Sequence, residues 1–219
     1  MTKFFSLDSP FMRAMSRIAD LMILNLLFLF TSIPIFTIGA GLTALYTVCF
    51  RLGTDDEGST AKDYFRAFKE NFKQSTLLWL LLLFLLCCTF FTAAQFYFIG
   101  GLFHLIWIIA AALLILAIFI MSFAFPLMSQ FDSPNKQVFK NSLVLSIAYL
   151  PRSLVMGALN VLPIALALSQ MYVFMHAGFI WITLYFASIA YLNSRLLRKV
   201  FKPFYEKDEE TNTILEEQP

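Results

Sequence analysis

Long uncharged runs of apolar residues alternate with short polar segments along this chain. No Asp, Glu, Lys or Arg occurs over residues 74–131 or over residues 153–194. Because a helix needs about 20 apolar residues to cross a bilayer, each of these stretches has room for two membrane helices. We expect breaks near Gly100 and near His176. The spans predicted here are about 76–98, 103–127, 153–173 and 177–195.

The N-terminal third also contains apolar segments, and a proline separates them. Residues 18–33 predict a first span. Pro34 has no N–H and disfavours helical geometry at the residue before it, so the helix is expected to break there. The next apolar piece, 36–51, is short for a span, and it either crosses obliquely or is re-entrant. The predicted fold is therefore an all-α, polytopic membrane helix bundle with six transmembrane helices, or with five and a re-entrant segment.

The basic residues predict the orientation of the bundle, because cytoplasmic loops of membrane proteins are enriched in Lys and Arg. The turns near Gly100 and His176 contain neither. If 36–51 crosses the bilayer, all 16 basic residues lie on one side, and if it does not, the N-terminal ones lie outside. We therefore expect six crossings, with both termini in the cytoplasm.

Composition excludes several classes of protein. Hydrophobic residues make up 59% of the chain and charged residues 14%, where soluble domains have about 25% charged residues. A soluble enzyme, a nucleic-acid binder and a disordered chain are thereby excluded, so no nucleic-acid partner is expected. The charges are also segregated, since residues 206–219 carry six acids and a single base, Lys207. This predicts a membrane bundle over 1–205 and an acidic, disordered cytoplasmic tail.

The polar segment before the third span has helical periodicity. Its basic residues share one face: Lys62, Arg66, Lys69 and Lys73. The opposite face is apolar and consists of Ala61, Tyr64, Phe65, Phe68 and Phe72. Two interpretations remain open, an amphipathic helix with its basic face on the anionic inner leaflet, or a solvated continuation of the third span. Thr60 and Asp63 have the spacing of a capping box.

The chain contains no recognisable catalytic or nucleotide-binding motif, and its cysteines do not form a metal-binding pattern. We therefore expect no enzymatic activity, no cofactor and no metal. Asp20, one turn after Arg17, either pairs with that arginine or marks an ion or proton path. The neutral polar residues in the spans either hold helices together or contact an uncharged polar solute. They are Asn25, Gln95, Asn160, Gln170 and Asn193, and the favoured solute contacts are Asn25, Asn160 and Gln170.

Three short segments carry a family resemblance. Ser16-Arg17-Ile18-Ala19-Asp20-Leu21, Ile33-Pro34-Ile35 and Asn71-Phe72-Lys73-Gln74-Ser75 resemble the YesL-like family of bacterial integral membrane proteins, a domain of unknown function. The similarity is strongest over residues 4–85. It implies a location in the bacterial cell membrane. Because genes of this family often lie near those of carbohydrate ABC transporters and two-component systems, it also implies a link to sugar uptake, but no site residues.

Two functions are expected from these observations. The first is a non-enzymatic accessory or regulatory subunit that associates with an ABC transporter or a sensor kinase in carbohydrate uptake. The second is a small transporter or channel for a neutral polar solute. Short, uncharged outer turns leave no room for an extracellular ligand-binding domain, so any partner is expected in the membrane or on its cytoplasmic side.

Overall fold

The computed structural model describes residues 10–52, 58–99, 104–169, 178–179 and 181–216. All regular secondary structure in these ranges is helical, which confirms the all-α prediction. The elements in chain order are α1 (Pro10–Thr31), a 3-10 helix (Ile35–Thr37), α2 (Ile38–Leu52), α3 (Thr60–Ile99), α4 (His104–Gln130), α5 (Asn135–Ala148), α6 (Leu150–Ser169), a π-helical turn (Trp181–Tyr185) and α7 (Phe186–Glu216).

Four helical segments of the described chain are long and apolar enough to cross a membrane, which makes this a multi-pass helical protein. They are Phe11–Thr31, Ile35–Leu52, Thr60–Gln95 and Leu105–Gln130. Helices α5 and α6 form a pair bent by 104°, which is either one broken span or a re-entrant loop. The structure therefore supports four or five spans where the sequence predicts six. Part of the predicted span 153–173 and part of 177–195 lie outside the described residues.

The helical structure is interrupted at Pro34, as the sequence predicts. Helix α1 ends at Thr31, and Pro34 is extended, with φ −77° and ψ 114°. The Thr37 hydroxyl donates to the Pro34 carbonyl at 2.6 Å and also contacts the Thr31 carbonyl. These contacts satisfy acceptors that the end of α1 and the turn leave open. The first two apolar segments are therefore separate helices joined by a tight turn.

Helix α2 lies in the interior of the bundle. Of its candidate membrane segment 67% is buried, against 17–22% for the other three segments. Gly39 allows close contact with α3, since a Cβ atom there would lie 2.6 Å from the Ser75 carbonyl oxygen. The Thr43 and Ser75 hydroxyls also share a 2.8 Å hydrogen bond. Small residues let helix backbones approach closely, so α2 and α3 pack as a tight pair.

The turn between α1 and α2 lies beside Trp79 of α3. The indole Nε1 of Trp79 donates to the Ile35 carbonyl at 2.8 Å. Lys73 is the last charged residue before the uncharged run of α3, and Trp79 is six residues after it. At about 1.5 Å of rise per residue, Trp79 is about 30 Å from Ile99. The turn is therefore near the charged end of α3 and far from its other end.

Helix α3 is continuous over 40 residues, about 60 Å at the usual rise per residue. The segment 60–73 therefore continues the third span, as in the second interpretation. Tyr64 is fully buried and Phe68 packs against the core. Phe65, which the sequence assigns to the apolar face, is 46% exposed, because it is turned about 100° from the buried Tyr64 around the helix axis.

The buried core occupies the charged end of the bundle. Among the described residues, its members on α3 extend no further than Leu82, and those on α4 begin at Ile120. Beyond them, large apolar side chains are exposed, with Phe84 at 73% and Leu105 at 63%. Large exposed apolar patches of this kind mark surfaces that contact lipid or another protein. The packed core therefore lies toward the charged end, and exposed apolar side chains surround it as well, with Leu77 at 62% and Ile33 at 73%.

Aromatic residues fix α7 to the end of α4. The Phe131 ring lies 5.6 Å from Phe201 and 5.3 Å from Tyr205, between ring centroids. The Tyr205 hydroxyl donates to Gln130 Oε1 at 2.8 Å. Burial raises the pKa of Tyr205, an effect that the positive charge of Arg198 partly offsets, so the phenol stays protonated and can donate.

Helix α7 continues to Glu216. The structure therefore differs from the prediction of disorder over 206–216, whereas 217–219 lie outside the described residues. Glu and Lys are good helix formers, and the segment extends an existing helix without the cost of a new nucleus.

Candidate functional site

An apolar cavity of about 440 Å³ lies between the helices, a volume within the range of about 300–1,000 Å³ typical of small-molecule sites. Its wall comes from α1, α2, α3, α4, α6 and α7 together with the π-helical turn. The wall residues are Phe28, Ile38, Leu42, Leu45, Tyr46, Trp79, Leu86, Ile118, Met121, Ser122, Phe125, Asn160, Val161, Ile164, Tyr185, Phe186, Ile189 and Ala190. No described wall residue carries a charge.

The few polar groups of the wall meet at Asn160 of α6. The Asn160 amide nitrogen donates to the Ser122 hydroxyl of α4 at 3.3 Å. The backbone carbonyl of Asn160 accepts from the Tyr185 hydroxyl at 3.3 Å. Asn193 of α7 donates through its amide nitrogen to Asn160 Oδ1 at 3.3 Å and to the Tyr46 hydroxyl at 3.2 Å. One polar cluster therefore joins α2, α4, α6 and α7.

The hydrogen bonds of this cluster are long. All four measure 3.2 or 3.3 Å, whereas N–H···O bonds are most often about 2.9–3.0 Å and O–H···O bonds about 2.7–2.8 Å. Asn193 is fully buried, yet its Oδ1 has no hydrogen-bond partner. A buried acceptor without a partner is costly and calls for an explanation. The cluster thus has unused hydrogen-bonding capacity beside an otherwise apolar cavity.

The structure places the predicted solute contacts in different environments. Asn160 is in the cavity wall. Asn25 is buried in α1, where its Oδ1 accepts the Ala187 backbone N–H at 3.0 Å, and it is not among the wall residues. Gln170 lies outside the described residues. The structure therefore brings one of the three predicted contacts to the cavity.

Asp20 lies at the contact between α1 and α3. Its Oδ1 accepts the Thr60 hydroxyl at 2.6 Å. Thr60 uses its hydroxyl there, and Asp63 forms ion pairs with Arg51 and Arg66. The Asp63 backbone N–H, which a capping box would direct to the Thr60 hydroxyl, donates to the Ser59 carbonyl at 2.9 Å, so the structure does not show the predicted capping box.

The predicted basic face is exposed along α3. Its residues are Lys62, Arg66, Lys69 and Lys73. Arg66 remains 63% exposed in its side chain although it contacts Asp63. Because Asp63 also pairs with Arg51 of α2, the start of α3 is fixed to the end of α2. The face is thus carried by a helix held rigidly in the bundle.

Sequence reasoning missed the tyrosines and the serine of the cluster. Tyr46, Tyr185 and Ser122 lie within apolar runs and have no local polar pattern. A usable signal was the presence of two amides, Asn160 and Asn193, in a long uncharged stretch, since each needs a partner in the bilayer.

No group of three or more His, Cys, Asp or Glu side chains in the described part of the chain is arranged to hold a metal ion. No curated protein and no solved structure matches this sequence. A family model does match, over residues 21–93, which include the second half of α1, all of α2 and most of α3. That model is described as "Protein of unknown function, DUF624", and the match agrees with the resemblance to the YesL-like family, a domain of unknown function.

Proposed function

We propose that this protein is a non-enzymatic accessory or regulatory subunit of the bacterial cell membrane that acts on carbohydrate uptake through an ABC transporter or a sensor kinase. The carbohydrate part of the proposal rests on the resemblance to the YesL-like family. The accessory role rests on a surface of the protein itself, the exposed basic face of α3.

The basic face of α3 is the observation that carries the proposal. Four exposed basic side chains project from a helix that continues directly from the bilayer. The Arg51–Asp63 ion pair and the buried Tyr64 hold this segment in place. A preorganised row of positive charge binds an acidic surface with little loss of conformational entropy, and it also speeds association.

The two ends of this face suit different partners. Lys73 adjoins the uncharged run, so it is placed to contact the anionic headgroups of the inner leaflet. Lys62 is about 16 Å further along the helix axis, which puts it within reach of a cytoplasmic part of a transporter or kinase. Lipid contact and partner contact are therefore compatible on one helix.

The alternative function, a transporter or channel for a neutral polar solute, is favoured by one observation, the position of Asn160 in the cavity wall. The rest of the wall is almost entirely apolar, and a polar solute would lose its hydration there with few hydrogen bonds in return. The accessory role therefore remains the main proposal.

The proposed topology keeps both termini in the cytoplasm. With six crossings, all basic residues lie on the cytoplasmic side. The same holds if α1 and α2 form a hairpin that enters and leaves the membrane on the cytoplasmic face, because Arg13 and Arg17 then stay on the same side as Lys62. The contact between Trp79 and Ile35 near the charged end of α3 supports this hairpin, and we favour it.

Site-specific photo-crosslinking in intact cells tests the accessory role. A photoreactive amino acid replaces Lys69 on the basic face, and a matched variant carries it at Phe84, which is on the lipid-exposed part of the same helix. We expect a crosslink from position 69 to a transporter subunit or sensor kinase, identified by mass spectrometry, and only lipid adducts from position 84. Lipid adducts alone at both positions would contradict an accessory subunit.

A further inference from the structure

We propose that the cavity beside Asn160 and Asn193 binds an uncharged, single-chain amphiphile from the bilayer, with a hydroxyl head on the amide cluster and its chain along the apolar wall. This site is independent of the partner surface on α3. It is defined by three features: the chemistry of the wall, the unused acceptor in the cluster and the position of the opening.

The wall selects an apolar chain. It is built from Leu, Ile, Val, Met, Ala and aromatic side chains. Its polar groups belong to Ser122, Asn160, Tyr46 and Tyr185, and to Trp79, whose indole N–H is already bonded to the Ile35 carbonyl. Without a charged residue in the described wall, a phosphate or carboxylate head would be desolvated with no counter-charge, at a large cost in free energy. The ligand head is therefore neutral.

The cluster selects a head that can donate a hydrogen bond. Asn193 Oδ1 is buried without a partner, and Asn193, although not a wall residue itself, bonds the wall residues Asn160 and Tyr46. A ligand hydroxyl at the wall can donate to Asn160 Oδ1 and accept from the Tyr46 hydroxyl. It would also complete a network whose present bonds are all 3.2–3.3 Å long, and completed buried networks are much more stable than partly satisfied ones.

The position of two wall residues indicates entry from the bilayer. Val161 and Ile164 of α6 line the cavity and are also 42% and 38% exposed. A side chain that is part of both the wall and the outer surface lies at an opening. Because this part of α6 is apolar on its exposed side, the opening faces lipid, and a lipid-like ligand can enter without crossing water.

Photolabelling of the full-length protein in nanodiscs tests the site. The probe is a monoacylglycerol with a diazirine in its acyl chain, and the competitor is unlabelled monoacylglycerol. We expect saturable labelling of α6 and α7 peptides that the competitor abolishes. Labelling that is non-saturable and spread over lipid-facing residues such as Phe84 would overturn the proposal. So would equal saturable labelling by a charged fatty-acid probe, which would contradict a neutral head.

Two exposed valines of α6 supply a matched pair of variants. Val161→Trp obstructs the opening, and Val155→Trp adds the same ring at a surface position that is 50% exposed and is not a wall residue. We expect competable labelling to be lost in the first variant and kept in the second. Equal labelling in both variants, with both proteins monodisperse and folded, would overturn the assignment of the opening.

The head contact has its own test. Asn160→Leu removes the wall amide at similar volume, and we expect it to weaken monoacylglycerol binding about fivefold, the effect of one lost neutral hydrogen bond. Binding of an alkane of equal chain length should not change, which separates loss of the head contact from loss of folding. Equal weakening of both ligands, or of neither, would contradict the head contact.

An aqueous cavity is the competing outcome. With the native cysteines replaced, Ala190→Cys places a thiol in the wall, and Lys69→Cys places one on the exposed basic face. If the cavity holds a lipid chain, a hydrophilic thiol reagent modifies the wall cysteine much more slowly than the exposed one. Equal rates would show a water-filled route and overturn the proposal.

Discussion

The side-chain oxygen of Asn25 accepts a hydrogen bond from the backbone N–H of Ala187 at 3.0 Å. Asn25 is fully buried in α1, and Ala187 is the second residue of α7, directly after the π-helical turn. Where a π turn gives way to an α-helix, the change in hydrogen-bond spacing leaves N–H groups without a regular partner. Asn25 supplies an acceptor there and ties the first helix to the last.

Replacing Asn25 by leucine should destabilise the bundle. The change keeps the volume but leaves the Ala187 N–H without this acceptor, at a cost of about 1–3 kcal/mol in free energy of unfolding. Thermal unfolding of the purified protein in detergent measures the effect. Asn71→Leu is the control, because the Asn71 amide contacts only its own helix, at Ala67. If the two variants unfold at the same temperature, the bond between α1 and α7 has no stabilising role.

Gly39→Ala should weaken the contact of α2 with α3. The added methyl group would lie 2.6 Å from the Ser75 carbonyl oxygen, so the helices must separate, and overpacking of this kind costs about 1–3 kcal/mol. Gly41→Ala is a matched change on the same helix, since its methyl group would lie 3.2 Å from the Phe28 ring. We expect a larger drop in unfolding temperature for Gly39→Ala. The reverse order would mean that α2 and α3 are less tightly packed than described.

Asp63→Asn should loosen the start of α3. The substitution removes the charge that Arg51 and Arg66 share, and hydrogen bonds to charged groups contribute about 1.5–3 kcal/mol. Limited proteolysis of the segment between α2 and α3 should become faster, and raising the salt concentration should narrow the difference from the unmodified protein. Glu70→Gln removes an exposed acid from the same helix and should leave the cleavage rate unchanged. Equal cleavage of both variants would remove Asp63 from this role.

Cysteine labelling at Phe36 distinguishes the two topologies. Phe36 is half exposed in the turn between α1 and α2, whereas its neighbour Thr37 is buried and would report poorly. In a background with Cys49, Cys87 and Cys88 replaced, Phe36→Cys should resist a membrane-impermeant reagent added to intact cells. The reason is that the turn lies beside Trp79, at the charged end of α3.

Gly101→Cys is the positive control for this labelling, because the sequence predicts an outer turn there. Labelling of both positions at the same rate would instead support a full crossing by α2, and with it the six-helix topology.

Local sequence patterns predict the features of this fold that depend on neighbouring residues. The first helix ends just before Pro34, which has no N–H to donate to a helix, and the uncharged stretches form long helices. The continuity of α3 also has a local cause, since no Pro or Gly lies within it. The sequence analysis predicted disorder after residue 206, whereas the segment is helical as far as Glu216. Composition shows that this segment is too polar to form a core, but it does not show whether a preceding helix can continue into it.

The contacts of the candidate site are not predictable in this way. Asn193 meets Tyr46 and Asn160 only because α2, α6 and α7 pack together. An amide in an apolar run needs a partner, but the sequence does not specify which one. For the same reason Asp20 is bonded to Thr60 of α3 in addition to any contact with its local neighbours. A cavity arises from gaps between side chains of many helices, so no single segment contains a signal for it.

Helix α3 also has a mechanical consequence. It is one unbroken rod that carries the basic residues at one end and two cavity wall residues, Trp79 and Leu86, further along. A rod without a hinge cannot move at one end alone. A force that tilts or rotates its cytoplasmic end must therefore shift Trp79 and Leu86 against the facing helices, so the shape of the cavity and the position of the basic face are geometrically coupled.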